Sequence, residues 1–380
     1  MSVLAKEIHM VFLTVGLMIQ PLTYIFARFW LWMLNLQKGT VGYRKGMWAV
    51  FLFSNGMFLS WYILIRFWSP ILKVAIGWSV VLLFTLFCAL SIAAVYFILK
   101  KVAPNSQPQT MLRVLGGSLF AGLFGISIYN AYTPVVRHLE ITLDRPMAKP
   151  VRIGMVSDLH IGRLLGSRQL EKLADMMNRE KVDIILMPGD IMDDDVEAYR
   201  AENMQPALMK LKAPLGVYAT MGNHDLLRGA EREINEELTR AGIQVMNDEV
   251  LEVDNGNFWL VGRPDNLAKG RMPTNELLLK TDGKKPVFLM DHRPSDIEAH
   301  SKLPIDLQVS GHVHKGQIFP ANLLAEYVNR RAYGYEKIGF GHYVVTSGYG
   351  FWGVPLRLGS QAEVWVIDVK GKSGSYSRFN

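Results

Sequence analysis

The sequence predicts two parts: an N-terminal all-α transmembrane bundle over roughly residues 1–134 and an α/β domain over roughly 135–370. A Ser- and Gly-containing tail, 371–380, follows and is expected to fray. Three observations carry this. Four long apolar segments succeed one another before residue 135, and Glu7 is the only acidic residue in that stretch. Beyond it, short apolar runs alternate with amphipathic stretches, as strands joined by helices do.

The apolar segments are Met10–Leu34, Met47–Trp68, Ile71–Leu99 and Met111–Tyr132. Each is long enough to cross a ~30 Å hydrocarbon core at ~1.5 Å per residue. Pro21 and Arg28 interrupt the first, so its span is expected over Met10–Ala27. It is too long for a cleaved leader, shows no cleavage site or preceding twin arginine, and reads as a retained anchor. Trp48, Trp61 and Trp68 lie near the ends and middle of the second, partly matching interfacial belts. One such segment would pass as a buried soluble helix; four in succession read as membrane.

Charge divides at the same place. Through residue 134 there are ten Lys and Arg against Glu7, a balance of +9, whereas the remainder balances at −2. The basic excess belongs to the connections between spans, where cations meet anionic headgroups. The α/β part has no basic surplus, which argues against sequence-independent nucleic-acid binding. Lys38, Arg44, Lys45, Lys100, Lys101 and Arg113 accompany the connections after the first and third spans, against Lys6, Arg66 and Lys73 on the opposite side. By the positive-inside rule the amino terminus and the α/β domain lie outside the cytoplasm. Counting Arg137, Arg145 and Lys149 after the fourth span would erase that difference.

In the α/β part Val135–Leu143 reads as the first strand. Five further apolar runs each lead into polar residues. Val151–Val156 precedes Asp158 and His160, Ile184–Met187 precedes Gly189-Asp190, and Val217–Met221 precedes Gly222-Asn223-His224-Asp225. Val287–Met290 precedes His292, and Leu307–Val309 precedes Gly311-His312-Val313-His314. Between them, Ser167 is expected to cap a helix burying Leu170, Leu173, Met176 and Met177. A second helix, Ala230–Ala241, buries Ile234 and Leu238 and stops at Gly242.

Ligands of α/β sheets bind beyond the carboxyl ends of strands, so five strand ends carrying oxygen and imidazole groups point to one site. Taken singly, each motif reads as a turn or a buried hydrogen-bonded pair. Taken together and in order, Asp158, His160, Asp190, Asn223, His292, His312 and His314 suit two divalent ions sharing a carboxylate. These donors suit Mn, Fe or Zn, whose identity stays open. Cys88, the only cysteine, lies in an apolar segment and supplies neither a ligand nor a disulfide. Two such ions clamp a phosphoryl group and acidify a water. This is the chemistry of a phosphoester hydrolase.

At these residues the chain resembles the calcineurin-like metallophosphoesterase family, whose pattern is Asp-x-His, Gly-Asp, Gly-Asn-His-Asp/Glu, His and Gly-His-x-His. The resemblance covers roughly residues 135–370 and implies a two-sheet αββα sandwich. It implies a first metal on Asp158, His160, Asp190 and His314. Asp190 bridges to a second, completed by Asn223, His292 and His312. It makes His224 the histidine beside the scissile phosphate, with Asp225 its acidic partner; the alternative for His224 is a histidine that only orients a ligand. The stretches Asp306–Gln317 and Thr346–Arg357 resemble membrane-associated bacterial members, which suggests a bacterial inner-membrane enzyme. One departure is Gln361-Ala362-Glu363, where that subgroup commonly has Pro-Glu.

Arg163 and Arg263 are expected to flank the crevice with His224. After the last ligand, Phe319, Leu323, Leu324, Tyr327 and Val328 precede Arg330 and Arg331. This segment either meets acyl chains and headgroups or packs beneath the sheet. The leading expectation is therefore a membrane-anchored hydrolase whose substrate is a phosphoester or pyrophosphate, lipid-borne or lipid-linked, with membrane lipids as partners. The same chemistry on a soluble phosphoester, with the helices as anchor only, stays open. So do a non-catalytic scaffold, a transporter with a regulatory domain, and the oligomeric state.

Overall fold

The computed structural model describes residues 3–64, 70–193 and 195–372. Spatial contacts divide the chain into two compact units, Met1–Ile126 and Ser127–Asn380. Arg66, Trp68 and most of the Gly371–Asn380 tail, residues 373–380, lie outside the described residues.

The first unit is helical: α1 (Val3–Met33), α2 (Val41–Leu64), α3 (Pro70–Val102) and α4 (Gln109–Tyr132), whose last turn belongs to the second unit. All four apolar segments are helical over their described residues. Helix α1 runs through Pro21 and past Arg28, which turns its guanidinium onto Tyr24 Oη, 2.8 Å away and one turn back. Among the described residues only Lys73–Val102 and Gln109–Tyr132 are long and apolar enough to cross a membrane. Polar contacts join the helices. Gln20 Nε2 of α1 donates to Asn55 Oδ1 of α2 at 2.8 Å, and Trp78 of α3 donates to Ser54 at 3.0 Å. Outward faces carry exposed Leu17, Leu52, Leu90, Phe97 and Val114. Inward, Phe29, Cys88, Ile92 and Leu112 are buried together.

Among the described residues, the second unit has twelve strands in two six-stranded mixed sheets. They are β1 (Val135–Leu143), β2 (Val151–Met155), β3 (Ile184–Pro188), β4 (Val217–Thr220), β5 (Gln244–Val245) and β6 (Glu249–Val253). Then come β7 (Phe258–Arg263), β8 (Val287–Asp291), β9 (Leu307–Ser310), β10 (Gly334–Ile338), β11 (Gly341–Val345) and β12 (Glu363–Gly371). One sheet runs β1-β12-β2-β3-β4-β5 and the other β10-β11-β9-β8-β7-β6. The five ligand-bearing runs end within one residue of expectation.

Continuous apolar runs form these central strands because both faces are covered. Ile153, Met155 and Leu186 meet Phe288, Met290 and Val309 in one inter-sheet core, each worth ~1.5–3 kcal/mol of burial. Outside the first sheet lies α5 (Ser167–Glu180), with Leu170, Leu173, Met176 and Met177 buried. Beside it the helix Glu231–Arg240 buries Ile234 and Leu238, and Gly242 follows at φ +83°. The cap of α5 differs from expectation. Gly166, extended, is the cap and Ser167 the first helical residue, with no side-chain cap bond. The helix Thr274–Leu278 covers the second sheet. Strands β2–β5 run parallel, as do β7, β8, β9 and β11, which gathers their carboxyl ends at one edge.

Candidate metal centre

The loops leaving these strands turn at once. Asp158, His160, Asp190, His312 and His314 all have φ between +47° and +72°. Non-glycine residues avoid that region, and such strain persists where surrounding bonds over-determine it. Here they do: the amides of Asp158 and His160 donate to the carbonyls of Gly189 and Asp190, both at 3.1 Å. His312 donates its amide to Asp158 Oδ1 at 2.9 Å, and His224 to Asp190 Oδ1 at 2.8 Å. Two glycines are demanded by proximity: a Cβ on Gly222 would overlap the Asp190 carboxylate, and one on Gly311 would overlap Asp158 and Ser157.

All seven residues expected as ligands converge. Ligand atoms of Asp158, His160 and His314 lie within 4.8 Å of one another, as do those of Asp190, His292 and His312. Asp190 also groups with His160 and His224, which puts its carboxylate between the two sets. Asn223 Oδ1 lies 3.2 Å from His292 Nε2. His292 Nε2 is 3.2 Å from Asp190 Oδ2, and His160 Nε2 is 3.8 Å from it.

The donor set fits cations. Two imidazole nitrogens, Nε2 of His160 and of His314, face each other at 3.2 Å. Asp158 Oδ2 and His160 Nδ1 are buried without a hydrogen-bond partner. Buried polar atoms are rarely left so unless an ion or water uses them.

The sequence matches the calcineurin-like phosphoesterase family over residues 151–316. It is 32% identical to an uncharacterised metallophosphoesterase of Helicobacter pylori strain J99 over 66% of this chain and 68% of that one. A metallophosphoesterase of Aquifex aeolicus is 30% identical over 60% of this chain and 88% of its own. The chain is a calcineurin-like metallophosphoesterase. It is 28% identical to a zebrafish protein named transmembrane protein with metallophosphoesterase domain, over 71% of this chain and 65% of that one. As a family member it is a metal-dependent phosphoester hydrolase that uses two divalent ions.

Electrostatics of the phosphoesterase site follow from burial. Burial, with His224 nearby, lowers His160 to about 4; burial and His292 lower His312 to about 3. His314 is held well below its ordinary range by burial and His160. These three imidazoles are neutral near pH 7, the form that donates a lone pair. Burial would lower His292 too, but the Asp190 carboxylate overrides it and raises His292 to about 10. Asp225 is raised to about 7 by burial and Asp190, against amide donors at Gly222, Ile191 and Met192, 2.8–3.1 Å away. Its carboxylate thus clamps the Asp190 loop to the Gly222 turn. His224 is buried, its ring 4.8 Å from that of His160 and 6.5 Å from that of Trp352.

Arg263 is not where expected. It is buried, donating to Asp291 at 3.0 Å and to the Met272 carbonyl at 3.0 Å. With Arg271 it neutralises Asp291, which also explains the separate Asp291, Asp296 and His300 grouping. Arg163 is exposed. The cations near the candidate ligands are ones sequence reasoning missed. Arg293, paired with Asp265, lines a concavity with His312. Arg357, fully buried, donates to the carbonyls of Ser347 and Gly350 at 2.7 and 2.6 Å and reaches His314. The available signal for Arg357 was the Thr346–Arg357 stretch itself, quoted for its likeness and not for a role.

The departure at Ala362 has a local use: its amide donates to the Asn130 carbonyl at 2.9 Å, a bond proline cannot make.

Proposed function

We propose that this phosphoesterase is held in a membrane by its helices, residues 1–134, and that its catalytic domain, residues 135–370, cleaves a phosphoester or pyrophosphate on a lipid or lipid-linked substrate. The carrying observation is the helix Ala321–Val328, which follows the last metal-binding residue and buries none of its side chains. Leu323, Leu324, Tyr327 and Val328 are 56–88% exposed, so packing beneath the sheet does not account for them. Leu324 and Val328 share a concavity of about 460 Å³ with His312, Arg293, Asn266 and Ser295. One wall suits hydrocarbon and the other an anion.

In this reading Asp158, His160 and His314 would hold one ion and Asn223, His292 and His312 the other, with the Asp190 carboxylate serving both. When bound, the ions supply Lewis-acid stabilisation of the phosphoryl group and an acidified water. Asp225 fixes the backbone that presents Asp190. His224 passes a proton from its imidazole to the leaving oxygen, and Arg293 steers the phosphate to the site. A hydrolase held at the bilayer meets lipid phosphates at high effective concentration. The exposed apolar faces of the first unit and the uneven distribution of Lys and Arg support placement in a bacterial inner membrane with the catalytic domain outside the cytoplasm.

Replacing Phe319, Leu323 and Leu324 with serine tests the substrate class. Turnover of acyl-bearing phosphoesters should fall while a small chromogenic phosphodiester is spared. Equal loss on both would assign the segment a folding role and sink the lipid reading.

A further inference from the structure

A cavity lies within the first unit, lined by none of the residues expected to bind metal. It measures about 840 Å³ and is bounded by α1, the connection after it, and the facing parts of α2, α3 and α4. Its walls are of two kinds. Phe29, Ile92 and Leu112 form an apolar floor, each 7% exposed or less. Arg28, Lys38 and Arg113 supply cations.

Among the described residues of this unit no carboxylate faces those cations. Between Glu7 and Glu140 the chain has no Asp or Glu. Arg28 donates instead to Tyr24 Oη, and Arg113 to Asn35 Oδ1 at 2.8 Å while lying over the Trp32 ring at 5.4 Å. Arg113 Nε is buried with no hydrogen-bond partner. Arg113 follows directly on the first turn of α4, where aligned backbone dipoles add positive potential and no acidic residue sits. A cavity with this field stabilises an anion, and guanidinium groups match phosphate oxygens in both geometry and charge. A floor of phenylalanine, isoleucine and leucine stabilises hydrocarbon. One ligand satisfies both.

We propose that this cavity is a binding site for an anionic phospholipid, its phosphate at Arg28 and Arg113 and its acyl chains along Phe29, Ile92 and Leu112. The site is separate from the catalytic one and rests on the reading of the helices as membrane-embedded. Lys38 contributes long-range attraction from the exposed connection, and the tryptophan and tyrosine side chains fill the interfacial level.

Native mass spectrometry of the full-length protein in detergent, titrated with dioleoyl phosphatidylglycerol, dioleoyl phosphatidylcholine or inorganic phosphate, tests this. The wild-type protein should retain one phosphatidylglycerol in preference to phosphatidylcholine. The R28Q/R113Q variant should weaken that retention about thirtyfold, since each basic contact with an anionic headgroup is worth roughly fivefold. R28K/R113K should keep most of it. Should the glutamine variant fail to fold, A93F keeps both arginines, narrows the cavity and should likewise lose the lipid. Equal retention of the two lipids, or retention unchanged in R28Q/R113Q or A93F, would overturn the site. Displacement of the lipid by millimolar inorganic phosphate would overturn the role of the floor. A chain that needs no detergent overturns both this site and the membrane reading; one that needs detergent yet shows no preference overturns this site alone.

Discussion

Arg357 Nη2 lies 3.3 Å from His314 Nδ1, a buried guanidinium set directly behind a histidine of the candidate metal centre. Burial pulls Arg357 down to about 10, so it stays charged at neutral pH and balances the anionic Asp158–Asp190 side of the site from within. The same Nη2, with Nε, donates to carbonyls of the turn Ser347–Gly350, whose Gly350 amide in turn bonds the Asp158 carbonyl at 2.8 Å.

Arg357→Met should therefore cost several kilocalories, about 3–5 kcal/mol, by stranding those carbonyls. It should also lower metal occupancy. Thermal unfolding and metal analysis of the purified variant check this. A stable variant with full occupancy would reduce Arg357 to a bystander.

Asp190 and His224 should separate in their effects. Asp190→Asn removes the carboxylate lying between the two groups of donors and should abolish hydrolysis together with metal content. His224→Ala should leave metals bound and cut turnover about 10²–10⁴-fold. Retention of both metals and near-normal activity in Asp190→Asn would contradict the assignment.

Gly222→Ala puts a methyl onto the Asp190 carboxylate. The loop must shift, at a cost of about 1–3 kcal/mol, and the bridging position moves with it. Metal affinity should drop more than stability does. A melting temperature and affinity both matching wild type would show that the turn has slack.

Asp306 offers a pH signature away from the metals. Burial raises it to about 6, against the Val287 amide at 2.9 Å and Arg145 at 3.4 Å. Its folded pKa exceeds the unfolded value of about 4. The stability it contributes is thus fully present below about pH 4 and lost as pH rises through about 6. Asp306→Asn should gain stability over wild type at pH 7.5, by up to about 3 kcal/mol, with the gap closing near pH 4. Melting temperatures measured across that range decide it; a constant gap would mean that the carboxylate is held ionised throughout.

Much of this was written in short-range pattern. The strand runs, the inward faces of α5 and Glu231–Arg240, and all seven donors beyond the strand ends were legible, because periodicity and strand-end motifs are local properties of the backbone. The four helices α1 to α4 were legible too, and among the described residues two stretches, Lys73–Val102 and Gln109–Tyr132, are long and apolar enough to cross a membrane. Tertiary structure alone decided which cations serve the site. Arg263 and Arg357 are both basic residues near strand or loop ends, and nothing local distinguishes them. Sheet order carries Arg263 to Asp291, while the return of the Thr346–Arg357 segment beside Asp158 buries Arg357 behind His314. The exposure of Leu323 to Val328 was likewise undecidable from spacing, since an apolar helical stripe looks alike whether it meets a core, a lipid or water. Only the folded chain leaves these side chains exposed, because that depends on long-range packing that short-range pattern does not encode.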